Sequence, residues 1–183
     1  MEIMGYKAFN KNRTNRYGML FEEGKNYHID GPISFGNNGN GFHMCVHLSD
    51  VFRYFDPNDI DVAYVIGSGD YVLSEDETWA EPYYGMYSVS DIQIIKFLSR
   101  EEIIDIMSHS SSSDIVKLFA TFKPTEEEAL QILKGNRSQY DHEKAVEAYL
   151  YYFKGINVYK LDYIERTRVL QKSMIGKQDG IKY

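Results

Sequence analysis

The feature that most constrains this chain is a change of period at Ser99. Before it, apolar and polar residues alternate in short runs punctuated by Gly, Asn, Asp and Pro. After it, apolar residues recur at helical spacing behind capping signals. Ser99-Arg100-Glu101-Glu102 sets a Ser three residues ahead of a Glu, a capping box that predicts a helix through about Met107. Ser108 to Ser113 reads as a serine-rich linker, with Ser113 capping a helix that buries Ile115, Val116, Leu118, Phe119 and Phe122. Thr125-Glu126-Glu127-Glu128 is a second capping box, and Gly135-Asn136 a helix stop. Asp141 is placed to cap a helix through Lys154, ended by Gly155, and a last helix is expected from Tyr159 to about Ile175, before Gly176.

Ahead of Ser99 the strands are read from alternation. Gly5 to Phe9 is a first strand, Asp61 to Ile66 a second, and Asp91 to Leu98 a third. Gly67-Ser68-Gly69-Asp70 predicts a bulge or tight turn before Tyr71-Val72-Leu73. Phe42 to His47 reads as a strand entered through the glycine-rich run Gly36 to Gly41, which supplies positive φ for a turn. Ser49 then opens a short helix to Phe55, stopped ahead of Pro57. Segregated strands and helices give an α+β fold: a small split antiparallel or mixed sheet over residues 1–107, then a helical C-terminal extension over 108–183, packed on it.

Charge narrows the function classes. The chain of 183 residues carries −7, and Met1 to Leu98 holds 7 Lys+Arg against 14 Asp+Glu, the whole of that excess. An acidic first half and a neutral second half offer no basic surface for a nucleic-acid backbone, so no nucleic acid is expected as partner. No apolar run is long enough to span a bilayer, and no membrane partner is expected. The N-terminal residues lack a signal-peptide pattern and Cys45 is the one cysteine, so a reducing cytoplasm is the expected setting.

Two constellations could carry chemistry. On a strand from Phe42 to His47, residues Phe42, Met44 and Val46 face one way and His43, Cys45 and His47 the other. Those three could ligate zinc, or pair a cysteine nucleophile with a histidine base. Same-face strand residues converge poorly on one ion, however, so no metal site is assigned and Cys45 is read as a buried small hydrophobe. The second constellation is Trp79, Tyr83, Tyr84 and Tyr87 in an acidic loop, either a ligand cleft or a cover over the sheet edge. The loop Asn10 to Arg16 groups Lys11, Arg13 and Arg16, which is a solvated face or a phosphate contact. The helix with Tyr149, Tyr151, Tyr152 and Phe153 is aromatic all round, part core and part contact surface.

Gly5-Tyr6-Lys7-Ala8-Phe9 and Gly41-Phe42-His43-Met44-Cys45, followed by an Asp-x-x-x-Tyr helix, resemble an uncharacterised family of phage and prophage proteins with GYK-x-F and GFH-x-C segments. The order of three segments is also similar to small ADP-ribosyltransferases of the rifampin-modifying type. These are Phe42 to Cys45 before a short helix, Val62 to Asp76 ending in an acidic turn, and Met86 to Ser90 running into Ile92 to Phe97. That resemblance implies a nucleotide cleft with NAD as candidate substrate and no certain cofactor. It puts His43 and an acid (Glu75, Glu77 or Glu81, with Glu77 and Glu81 carried as candidates) in catalytic roles, and Lys7, Trp79, Tyr83, Tyr84 and Tyr87 at the ligand. Tyr6-Lys7 stands where those enzymes present His or Arg, so a phosphate contact fits Lys7 better than their ribose contact. The expected function is therefore nucleotide binding. The alternatives are a non-catalytic module for a host or phage protein and a Cys/His-dependent or metal-assisted hydrolase.

Overall fold

The N-terminal strand β1 (Ile3–Asn10) places Ile3, Gly5 and Phe9 on a buried face, and Met4 and Asn10 on an exposed one. The period of two that made it legible in sequence is thus the period of its burial. In the computed structural model, which describes residues 1–36, 39–74, 85–136 and 142–173, it joins β2 (Asn26–His28), β3 (Phe42–Cys45), β4 (Ile60–Leu73) and β5 (Met86–Phe97). All pairings among these strands are antiparallel.

The sheet order is β2-β5-β3-β1-β4, and β4 pairs with β5 as well, so four strands form a ring: β1 to β4 to β5 to β3 and back to β1. Strand β5 makes this geometry workable because it is long. One edge takes β4, while the other is shared end to end by β3 against Met86–Val89 and β2 against Asp91–Gln93. The expected irregularity after Gly67 is a register shift between Ser68 and Tyr71, with Gly69 at φ +76°. It bends one continuous strand where the sequence suggested two pieces.

Inside the ring lie Ile3, Phe9, Phe21, Phe42, Met44, Ala63, Val65, Val89, Ile92, Ile94 and Phe97. Aromatic rings dominate one end: Phe9 meets Phe21 at 4.8 Å and Phe97 at 5.3 Å, and Phe21 meets Tyr27 at 4.6 Å. The turn into β3 needs glycine at Gly41, whose φ is +129° and where a Cβ would lie 2.2 Å from Ser88 Oγ. The helix α1 (Leu48–Val51) is one turn, shorter than expected, and packs across β1 and β3.

The chain divides into two units at Ser99/Arg100, ahead of the helix α2 (Arg100–Ser108), where the sequence put the boundary after it. The second unit continues with α3 (Ser112–Thr121), α4 (Glu126–Gly135), α5 (His142–Lys154), a 3-10 turn (Val158–Lys160) and α6 (Tyr163–Ser173). The Thr125 capping box is present in full. The cap of α3 is Ser111, which accepts from the Asp114 amide, and not Ser113. Ser112 is fully buried and donates to Asn136, and the helix starts two residues earlier than a cap at Ser113 implies. The last helix begins later than expected: Asp162 accepts from the Glu165 amide and opens it after the 3-10 turn. Expectations that fall on Asp141, Ile175 and Gly176 lie outside the described residues.

Candidate functional site

Lys7 sits on the inner face of β1, flanked two residues either side by buried Gly5 and Phe9. An ammonium on such a face must find an acceptor, because burying it bare costs several kcal/mol, on the order of the penalty for an unpaired ion. It finds the backbone: Lys7 Nζ donates to the His43 carbonyl at 2.8 Å, with the Phe9 ring 5.5 Å away. Strands β1 and β3 pair at Tyr6 and Cys45, and Lys7 reaches across to β3 beyond that pair. Gly5 makes the close approach of the strands workable, since a Cβ there would sit 2.3 Å from the Cys45 carbonyl oxygen.

Beside this split lies a cleft of about 700 Å³, bordered by Tyr6, Lys7, Phe35, His43, Tyr54 and Phe55 among others. His43 faces it, as the alternation predicts. The Phe35 ring stacks on its imidazole at 5.0 Å and 19°. Its Nε2 lies 3.4 Å from the Ser34 carbonyl, which accepts only, so the proton is on Nε2 and Nδ1 is the free acceptor. Burial lowers the His43 pKa, and the charges of Lys7 and Arg16 lower it further, so the ring is neutral at pH 7. Burial likewise lowers Lys7 to about 8, leaving it mostly charged at neutral pH with a free-amine fraction far above an ordinary lysine's.

Cys45 lines the same cleft but is a buried thiol. Burial and the Asp50 carboxylate push it up to about 12, so it stays protonated and is a poor nucleophile. His47 is off the strand: it is exposed and extended, ahead of α1. The row of His43, Cys45 and His47 is therefore split into a cleft wall, a packed thiol and a surface residue. Among the described residues no group of three His, Cys, Asp or Glu is placed to hold a metal ion.

Of the other residues expected at the ligand, Tyr87 packs against the core and meets Tyr71 at 6.2 Å. Glu77, Glu81, Trp79, Tyr83 and Tyr84, with Glu75, lie outside the described residues; Ser74 and Met86, which flank that segment, both border the cleft. Phe35, Tyr54 and Phe55 were not singled out for a site from sequence. Tyr54 and Phe55 were read as part of a helix that ends instead at Val51, which leaves each of them 50% exposed.

The model of a family described as a domain of unknown function, DUF7666, matches residues 3–105, more than half of the chain. The chain belongs to this family. No curated protein and no solved structure gives a match. The DUF7666 match spans β1 to β5 and the whole described lining of the cleft, so the site is contained in the family's domain. The helical unit beyond it has its own cleft of about 580 Å³, bordered by Glu147, Tyr151, Tyr152 and Tyr159. No helix of the described residues is long and apolar enough to cross a membrane.

Proposed function

We propose that the DUF7666 domain is a binding module whose cleft takes a planar, anionic small molecule of the nucleotide class, with NAD as the first candidate. One observation carries this reading. In a half of the chain that holds all of its negative excess, the charges acting on His43 in the cleft are the cations Lys7 and Arg16. Lys7, the one Lys or Arg among the described lining residues of the cleft, attracts an anion locally in an otherwise acidic domain. The rest of the lining suits a flat ring: Phe35 already stacks on His43, and Tyr6, Tyr54 and Phe55 present further aromatic faces. The order of segments similar to ADP-ribosyltransferases is what puts NAD ahead of other nucleotides.

Binding is favoured over turnover because Lys7 replaces the usual ribose-contacting His or Arg. The setting proposed is the cytoplasm of a bacterium or phage-infected cell, on the likeness to phage and prophage proteins and the single free Cys45. A thermal-shift panel of NAD, ADP-ribose, ATP and nicotinamide tests the reading. Stabilisation by the phosphate-bearing compounds and none by nicotinamide supports it. A flat response to all four at millimolar concentration overturns it.

A second reading rests on a separate observation. Tyr151, Tyr152, Tyr159, Tyr163 and Ile164 are all exposed on the helical unit, a larger aromatic surface than a solvated helix needs. On this reading the protein is a non-catalytic interaction module for a host or phage protein.

A further inference from the structure

Lys7 differs from other lysines of the chain in what it faces. Lys11, Lys117 and Lys154 each face a carboxylate, those of Asp61, Asp114 and Glu126. Lys7 instead lines a cleft, its hydrogen-bond acceptor is a neutral carbonyl, and no carboxylate stands among the described residues of the lining. Next to it in the lining stand His43, whose Nδ1 is a free acceptor, and the phenol of Tyr6.

From this placement we infer that Lys7 is a covalent capture site, its amine forming an imine with an aldehyde group on a ligand that enters the cleft. The inference rests on the cleft being a ligand site, as proposed above. The step balances without a redox partner. Lys7 first gives its extra proton to solvent, and the nitrogen lone pair attacks the carbonyl carbon as the C=O π pair moves to oxygen. One N–H proton passes by way of solvent to that oxygen to give the carbinolamine, a solvent proton then lets the hydroxyl leave as water, and loss of the second N–H proton to solvent leaves C=N on Lys7. A lysine amine desolvated against apolar surroundings is the arrangement that favours such attack. The burial that brings Lys7 to about 8 raises its free-amine fraction at neutral pH roughly three hundredfold over an unshifted lysine. Breaking the hydrogen bond to the His43 carbonyl is part of the reaction, so the split between β1 and β3 is where the ligand would be held.

Two probes separate this inference from the nucleotide reading. Pyridoxal 5′-phosphate carries an aldehyde, a flat ring and a phosphate; glyoxylate carries an aldehyde and a carboxylate alone. The full-length protein is incubated with each, reduced with borohydride and mapped by peptide mass. The expected result is an adduct on Lys7 at about tenfold or more the level of any other lysine, with the pyridoxal probe ahead of glyoxylate. Lys7→Arg keeps the cation and a donor for the His43 carbonyl, and with its fold confirmed by circular dichroism it should lose the adduct. Labelling that merely follows exposure, with Lys7 no higher than surface lysines, overturns the inference and leaves noncovalent binding of NAD intact. A Lys7 adduct with both probes in a protein that shows no nucleotide response sustains the inference and sinks the nucleotide reading instead.

Discussion

The Lys7 ammonium and the His43 carbonyl oxygen lie 2.8 Å apart and join β1 to β3 beyond the pairing of Tyr6 with Cys45. A side chain holds the ring of strands together there, and the same side chain is the cation of the cleft. Stability and the proposed binding are therefore linked through one residue.

The linkage gives a pH signature. Lys7 has its folded pKa lowered from 10.5 to about 8, so between those values the unfolded chain binds the extra proton and stability rises with pH. Cys45 is raised from 9.0 to about 12, so above pH 9 the folded chain holds the extra proton and stability falls with pH. Urea midpoints should climb from pH 8 to 9 and then level off. In Lys7→Met the climb should vanish, and in Cys45→Ala it should continue toward pH 10. A wild-type midpoint that falls steadily from pH 8 would contradict the Lys7 assignment, and one that is the same in wild type and Cys45→Ala up to pH 10 would contradict that of Cys45.

Gly5 is irreplaceable because of where β3 passes. An added Cβ would meet the Cys45 carbonyl oxygen at 2.3 Å and Met44 Cε at 2.9 Å, and a backbone atom cannot swing aside. Gly5→Ala is expected to cost about 1–3 kcal/mol by denaturant unfolding, the range for overpacking, and to disturb the cleft with it. An unchanged midpoint would mean that the two strands part easily.

At the other edge of the sheet, His28 bonds to Asp91 at 2.8 Å through Nδ1 and to Asp30 at 3.2 Å through Nε2. The Asp91 hydrogen bond leads in raising the His28 pKa above 6.5. Its contribution to stability is therefore full below that value and is lost as pH rises through the folded pKa. Proton NMR titration should place His28 above an unperturbed histidine, and Asp91→Asn should return most of the shift. A wild-type value at or below 6.5 would refute the pairing.

In the helical unit, buried Asn136 accepts from Ser112 Oγ at 3.1 Å, lies 3.0 Å from His142 Nδ1 and donates to the Ser110 carbonyl at 2.9 Å. One amide thus satisfies groups at the starts of α3 and α5. Asn136→Ala strands these partners and should lower stability by roughly 1–3 kcal/mol, whereas Asn136→Asp should retain part of it. Equal unfolding midpoints for wild type and Asn136→Ala would show the knot to be dispensable.

What could be read ahead of the structure follows from which signals are local. β1, β4 and β5 alternate over many residues, and Thr125 to Glu128 satisfies its own amides, so each was visible in sequence. β2 was not, because three residues on a sheet edge carry no period of their own. In the serine run, Ser111 rather than Ser113 caps α3 because Ser112 must reach Asn136, 24 residues away. Alternation gave His43 its face of the strand, but not what meets it there. Lys7 comes to it across 36 residues of chain, and Phe35, Tyr54 and Phe55 arrive on loops whose path no pattern encodes.

The most direct test of the cleft as an anion site is calorimetric titration of NAD into wild type and Lys7→Met, both checked for fold by circular dichroism. The account predicts saturable binding by wild type, weakened about tenfold to a hundredfold in the variant, the loss expected for one charge-assisted contact. Binding of equal strength by both proteins, or by neither, would contradict it.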